Sequence, residues 1–124
     1  TTCICSSAFC CHTTLTKVVL PDSVKHIGGI AFAQCPNLKS INLPKNLEQI
    51  GLSCFMASGL ESVTIPEGVK TIKERAFYDC KSLKEIHFAG TIEQWQRIIL
   101  NEEWIEKCPA TVVHCTDGDV EIIL

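Results

Sequence analysis

Residues 27–44 read Ile27-Gly28-Gly29-Ile30-Ala31-Phe32-Ala33-Gln34-Cys35-Pro36-Asn37-Leu38-Lys39-Ser40-Ile41-Asn42-Leu43-Pro44. An Ala-Phe pair is followed by Cys, Leu, Ile, Leu and Pro at set distances. The same spacing recurs along the chain. Ala8-Phe9, Ala31-Phe32, Cys54-Phe55 and Ala76-Phe77 lie 23, 23 and 22 residues apart. After each Phe comes an apolar set: Leu15, Val18, Leu20; Leu38, Ile41, Leu43; Leu60, Val63, Ile65; Leu83, Ile86, Phe88. Pro21, Pro44 and Pro66 close the first three sets, and Ala89 stands in the fourth. A second apolar pair follows in Val24 and Ile27, Leu47 and Ile50, and Val69 and Ile72. One period back from Val24 and Ile27 lies Thr1 and Ile4, so the chain opens partway through a unit.

A unit this short cannot enclose a core. It must stack on its neighbours and bury one layer of Leu, Ile, Val and Phe per turn. The last positions of each Leu-x-x-Ile-x-Leu set alternate apolar and polar, which is strand period. Parallel stacking sets such strands about 4.8 Å apart. Proline ends each strand where a backbone N–H would go unpaired. The second apolar pair suits a short strand on the opposite wall. Small Ala or Cys before each Phe fits a tight corner, and the Phe rings are expected to stack into an interior ladder.

The motif Ile27-Gly28, Ala31-Phe32, Cys35, Leu38, Ile41, Leu43-Pro44 resembles leucine-rich repeats of the BspA-like type found in bacterial surface proteins. The resemblance covers residues 1–90 as about four units of 22–23 residues, the first incomplete, and residues 91–124 look like the family's C-terminal cap. It implies a β-rich solenoid, a leucine-rich repeat right-handed superhelix closed by a helix-plus-hairpin cap. Departures are His12 and Ser58 in the Cys slot, one residue missing from the third unit, and Ala89.

Beyond Phe88 the period changes. Gly90 breaks the chain, and Thr91-Ile92-Glu93-Gln94 reads as a capping box. Ile92, Trp95, Ile98 and Ile99 then follow at helical spacing, which predicts a helix over 92–100, extended towards Trp104. Ala110 to Cys115 reads as a strand. Thr116-Asp117-Gly118-Asp119 reads as a hairpin turn, with Asp-Gly taking positive φ, and a second strand runs through Ile123. At the other end, Thr1 to Cys5 forms an exposed edge. Upstream repeats, a removed cap or self-association through that edge is expected.

Composition narrows the function. The 124 residues carry Lys+Arg 11 against Asp+Glu 14, a net charge of −3, with no basic excess for nucleic acid. No apolar run nears the roughly 18 residues that span a bilayer. The chain opens on Thr1 and holds a single Met, Met56, which reads as a processed or excised piece.

The 9 cysteines divide by register. Cys35 and Cys80 share one slot, three after Phe, and Cys54 replaces the corner Ala. All three read as buried structural thiols. Cys115 ends a strand and reads as buried too; a disulfide to Cys108 needs Cα atoms within roughly 7 Å. Cys3, Cys5, Cys10, Cys11 and His12 put five soft donors within ten residues, a density that suggests zinc. Their spacing lacks a paired Cys-x2-Cys, and Cys3, Cys5 and Cys11 fall on the slots of His26, Gly28 and Gln34. The main reading therefore has no metal and no cofactor, and the metal or redox reading of this cluster is the alternative.

Catalytic groupings are missing. His114 and Cys115 are adjacent in a strand and point to opposite faces. His87 lies between inward Ile86 and Phe88 and points outwards. His26 and His12 have no evident partner, and Asp117 and Asp119 belong to a turn. No Gly-rich phosphate loop and no Gly-x-Ser-x-Gly occurs, so the chain reads as non-enzymatic.

What remains is surface. The outward strand positions are Lys17 and Val19, Ser40 and Asn42, Ser62 and Thr64, Glu85 and His87. Side by side they form a two-column strip, one row per repeat, of the kind along which solenoids bind. The resemblance implies an interaction module at the cell surface or outside the cell, binding a protein or other macromolecule of a host or neighbouring cell. The remaining alternative is a structural end-piece of a larger surface protein.

Overall fold

A computed structural model describes residues 3–122. Thirteen short strands and one helix follow in chain order: β1 Cys3–Ile4, β2 Lys17–Val19, β3 His26–Ile27, β4 Ser40–Asn42, β5 Gln49–Ile50, β6 Ser62–Ile65, β7 Thr71–Ile72 and β8 Phe77–Tyr78. Then come β9 Glu85–Phe88, α1 Ile92–Gln96, β10 Ile99–Leu100, β11 Ile105–Glu106, β12 Val112–Cys115 and β13 Gly118–Glu121.

The strands stack as walls of a solenoid. One wall is the parallel sheet β1-β3-β5-β7-β10. Its register aligns Ile4, Ile27, Ile50 and Ile72, the second member of each apolar pair, one turn above the next. The opposite wall begins with β2-β4 and continues beside them as β6-β9-β12-β13. There Val18 pairs with Ile41 and Val63 with Ile86. Ile27, Ile41, Ile50, Val63, Ile72 and Ile86 are buried between the walls with Leu38, Leu47, Leu60 and Leu83. No unit could bury these residues alone.

The Ala-Phe corner joins the walls. Phe9, Phe32, Phe55 and Phe77 stack with centroids 5.2, 5.5 and 5.3 Å apart and planes within 10° of parallel. Trp104 ends the ladder edge-on, 6.3 Å from Phe77. Backbone bonds tie each corner to the next: Phe9 N–H donates to Ala31, Phe32 to Cys54, Phe55 to Ala76 and Phe77 to Trp104. The corner turns because residues on either side of it take left-handed backbone. One column comprises Ser7, Ile30, Ser53, Arg75 and Glu103; the other comprises Cys11, Gln34, Ala57, Asp79 and Lys107, all with φ between 51° and 64°. None is glycine, so the sequence carries no mark of them.

The C-terminal segment departs from expectation in three places. The helix over 92–100 stops at Gln96, and Ile99 and Leu100 pair with Thr71 and Ile72 as an edge strand. Ile98 still points inwards, but Ile99 is 62% exposed. Ile98 and Ile99 are β-branched, which weakens helical propensity, and Ile99 with Leu100 continues the strand column instead. Trp104 lies outside the helix, with Ile105 paired to Phe77. The hairpin turn is Thr116-Asp117, since Cys115 pairs with Gly118, and the positive φ of 150° falls on Gly118. Its second strand is described to Glu121, and Ile123 lies outside the described residues. The capping box stands as expected: Gln94 N–H donates to Thr91 Oγ1 at 3.2 Å, and Thr91 N–H to Gln94 Oε1 at 2.8 Å. Asp117 Oδ1 accepts from Ile92 N–H at 2.9 Å, so the hairpin turn also caps the helix.

Candidate functional site

The outward residues of the second wall form the expected strip. Lys17 stands beside Ser40 and Val19 beside Asn42. Ser62 stands beside Glu85 and Thr64 beside His87. All are exposed except His87, which is half-buried. Their inward neighbours Ile41, Val63 and Ile86 are packed in the core, so the strip is rigidly mounted.

The strip is longer than the sequence reading made it. β12 adds His114 beside His87, with imidazole centroids 5.2 Å apart. β13 adds Asp119, whose Oδ1 lies 2.9 Å from His114 Nδ1. His87 Nε2 lies 3.4 Å from Glu85 Oε1. Asp119, read from the sequence as a turn residue only, thus faces a histidine. The signal for His114 was present: Val113 is inward like Ile86, which makes His114 outward like His87. The strip grades from Lys17 and Val19 at one end to two histidines with carboxylate partners at the other.

The thiols divide as their register implies, with one exception. Cys35, Cys54 and Cys80 are buried, whereas Cys115 is only half-buried. Cys108 takes the repeat slot of Cys35 and Cys80. Each of the three donates its S–H to a corner carbonyl of the preceding turn: Cys35 to Phe9, Cys80 to Phe55, Cys108 to Phe77. Burial pushes the Cys35 and Cys54 thiols up. The neighbouring Cys108 thiol pushes the Cys80 thiol up, and Cys80 in turn pulls that of Cys108 down. Cys108 and Cys115 are not joined by a disulfide.

The five N-terminal soft donors do not converge on one site. Cys3 Sγ lies 3.9 Å from His26 Nδ1 on the first wall, and Cys5 is exposed beyond it. Cys10 and Cys11 lie past the corner, and His12 Nδ1 sits 3.3 Å from Thr14 Oγ1. His26 and His12 therefore each have a neighbour the sequence did not reveal. Among the described residues, no group of three His, Cys, Asp or Glu side chains could hold a metal ion. Among them also, no helix is long and apolar enough to cross a membrane.

The family described as BspA type leucine rich repeat region matches residues 2–111 in 6 copies. Among solved structures, the chain is similar to a leucine rich cell surface protein from Faecalibacterium prausnitzii A2-165. The TM-score is 0.71 and the identity 29%, over 79% of this chain and 32% of that one. A leucine-rich repeat protein from Bacteroides ovatus ATCC 8483 shares the fold with a TM-score of 0.63 at 23% identity, over 89% of this chain and 34% of that one. The T. pallidum leucine rich repeat protein does so with 0.61 at 23% identity, over 91% of this chain and 66% of that one. The chain thus spans about a third of the first two structures. No curated protein matches it.

Proposed function

This chain belongs to the BspA-type leucine-rich repeat family, and from that premise we propose that it is a non-catalytic interaction module of a bacterial surface or secreted protein. It takes a protein ligand on the outward strip of its second wall, over Lys17, Val19, Ser40, Asn42, Ser62, Thr64, Glu85 and His87, prolonged by His114. The regular repeats up to residue 90 supply this strip, and the segment that follows continues the walls by one more turn through β10, β11 and β12 before the hairpin closes the C-terminal end.

The observation that carries this reading is the register of the strip. Ser40, Asn42, Ser62 and Thr64 stand in columns with their flanking neighbours on a wall whose inward residues Ile41, Val63 and Ile86 are buried. Solenoids bind along such extended faces. The surface setting is supported by the likeness to the F. prausnitzii cell surface protein.

The test is a binding screen of the full parent protein against surface proteins of host and neighbouring cells. Ser40, Asn42, Ser62, Thr64 and His87 are then each replaced by Lys or Glu. Loss of binding with unchanged unfolding supports the reading. Undiminished binding by all five variants removes this face from any role.

A further inference from the structure

Two of the N-terminal thiols meet. Cys10 Sγ lies 3.1 Å from Cys11 Sγ. Cys11 is exposed and Cys10 half-buried, so an ion in solution can reach the pair. Side chains of consecutive residues in extended chain point to opposite faces. Here Cys11 takes φ 64°, in the left-handed region, and the two sulfurs come together. The backbone beneath them is anchored. Cys10 N–H donates to Ser7 and Cys11 N–H to Ala33 in the next turn, at 3.2 and 2.9 Å. Cys11 Sγ also reaches Gln34 Oε1 at 3.5 Å.

Such a pair is poorly shaped for a disulfide. Consecutive Cα atoms lie about 3.8 Å apart, below the roughly 4.4–6.8 Å that disulfides span. A bond closed there is strained and easily reduced. An ion held between the sulfurs needs no S–S bond and no such closure. An ion bound there displaces the two thiol protons. Thiolates select soft ions over hard ones.

We propose that Cys10 and Cys11 form a two-sulfur chelating site for a soft thiophilic ion, the chemistry shared by trivalent arsenic and monovalent copper. Cys3, Cys5 and His12 take no part in it. The site stands independently of the ligand-binding strip. With phenylarsine oxide, two S–As bonds form and the arsenic–oxygen bond breaks. The oxygen leaves as water with the two thiol protons. Arsenic stays trivalent and neither sulfur is oxidised.

The reduced full chain is treated with one equivalent of phenylarsine oxide and weighed intact by mass spectrometry. The expected product is a single adduct that survives excess glutathione, is released by dithiothreitol, and removes two titratable thiols. Cys10→Ser and Cys11→Ser each abolish the glutathione-resistant adduct, whereas Cys3→Ser and Cys5→Ser keep it. In a second arm, competition for Cu(I) with bathocuproine disulfonate shows affinity falling at least roughly tenfold in the same two variants. An arsenical adduct without Cu(I) binding narrows the ion to the metalloid and retains the site. Should either variant fail to fold, iodoacetamide footprinting of the loaded wild-type chain replaces it, with Cys10 and Cys11 protected. An adduct that persists in both variants, yields to glutathione, or leaves Cys10 and Cys11 open to alkylation overturns the proposal.

Discussion

The Cys80 thiol donates a hydrogen bond to the carbonyl oxygen of Phe55, 3.0 Å away in the preceding turn. Cys35 bonds Phe9 in the same way at 3.1 Å, and Cys108 bonds Phe77 at 2.8 Å. One repeat slot therefore stitches successive turns through sulfur. Ser58 fills the slot in the third unit, with its Oγ 3.6 Å from Cys80 Sγ. Replacing Cys80 by Ala removes both the donor and packed volume, and should cost about 1–2 kcal/mol. Cys80→Ser keeps a donor and should recover part of the loss. Urea unfolding of the three proteins measures it, and equal midpoints for Ala and wild type would show that the bond contributes nothing.

The phenylalanine ladder predicts a gradient. Phe32, Phe55 and Phe77 are fully buried with a ring on both sides, whereas Phe9 is 36% exposed and has one stacking neighbour. Replacement by Ala should cost about 3–5 kcal/mol at each of the three interior positions and clearly less at Phe9. Losses below about 1 kcal/mol at all three would contradict their role in the core.

Backbone constraints work in opposite directions at two neighbouring sites. A Cβ added to Gly51 would run into the carbonyl oxygen of Ile27, part of the adjacent strand wall. Gly51→Ala should therefore destabilise by about 1–3 kcal/mol, as overpacking against backbone does. Ile30 holds a β-branched side chain at φ 52°. Left-handed backbone costs such a residue roughly 1–2 kcal/mol, so Ile30→Gly should raise the unfolding midpoint despite the lost side chain. A lowered midpoint for Ile30→Gly would mean that the side chain's contacts outweigh its strain.

The buried thiols also fix a pH response. Burial raises the Cys54 thiol in the folded chain above its ordinary value. Below about pH 8.5, the ordinary thiol pKa, both states hold the proton and the contribution is complete. Above it the unfolded chain releases a proton that the folded chain keeps. Stability should then fall by about 1.4 kcal/mol per pH unit for this thiol until the folded value is reached. Cys54→Ala should show a shallower decline between pH 8.5 and 10.5, measured by urea unfolding. An unchanged slope would show that Cys54 ionises without unfolding.

The stacked architecture was legible because its cause repeats. Ile27, Ile50 and Ile72 recur at one period, and only stacking buries all three. The expected strip from Lys17 to His87 followed from the same alternation. The helix beyond Gln96 misled because Ile98 and Ile99 satisfy helical spacing and strand packing equally. Cys108 was hidden by a longer insertion: it lies 28 residues after Cys80 rather than one regular period, so its slot could not be counted out. The extension of the strip to Asp119 depends on which residues form the hairpin turn, and the pairing of Cys115 with Gly118 moved that turn by one residue.

The amino-acid sequence alone determined that short units pile into a solenoid, because periodic apolar residues have no other way out of water. Tertiary structure decided which polar and sulfur groups become neighbours across turns. His87 meets His114, Cys80 meets Phe55, and Cys10 meets Cys11 through a left-handed residue that no glycine announces. Hydrophobic burial depends on residue type and period, which can be read along the chain. The neighbours of a side chain depend on register, turn position and the sign of φ, and these exist only once the turns have been laid one on another.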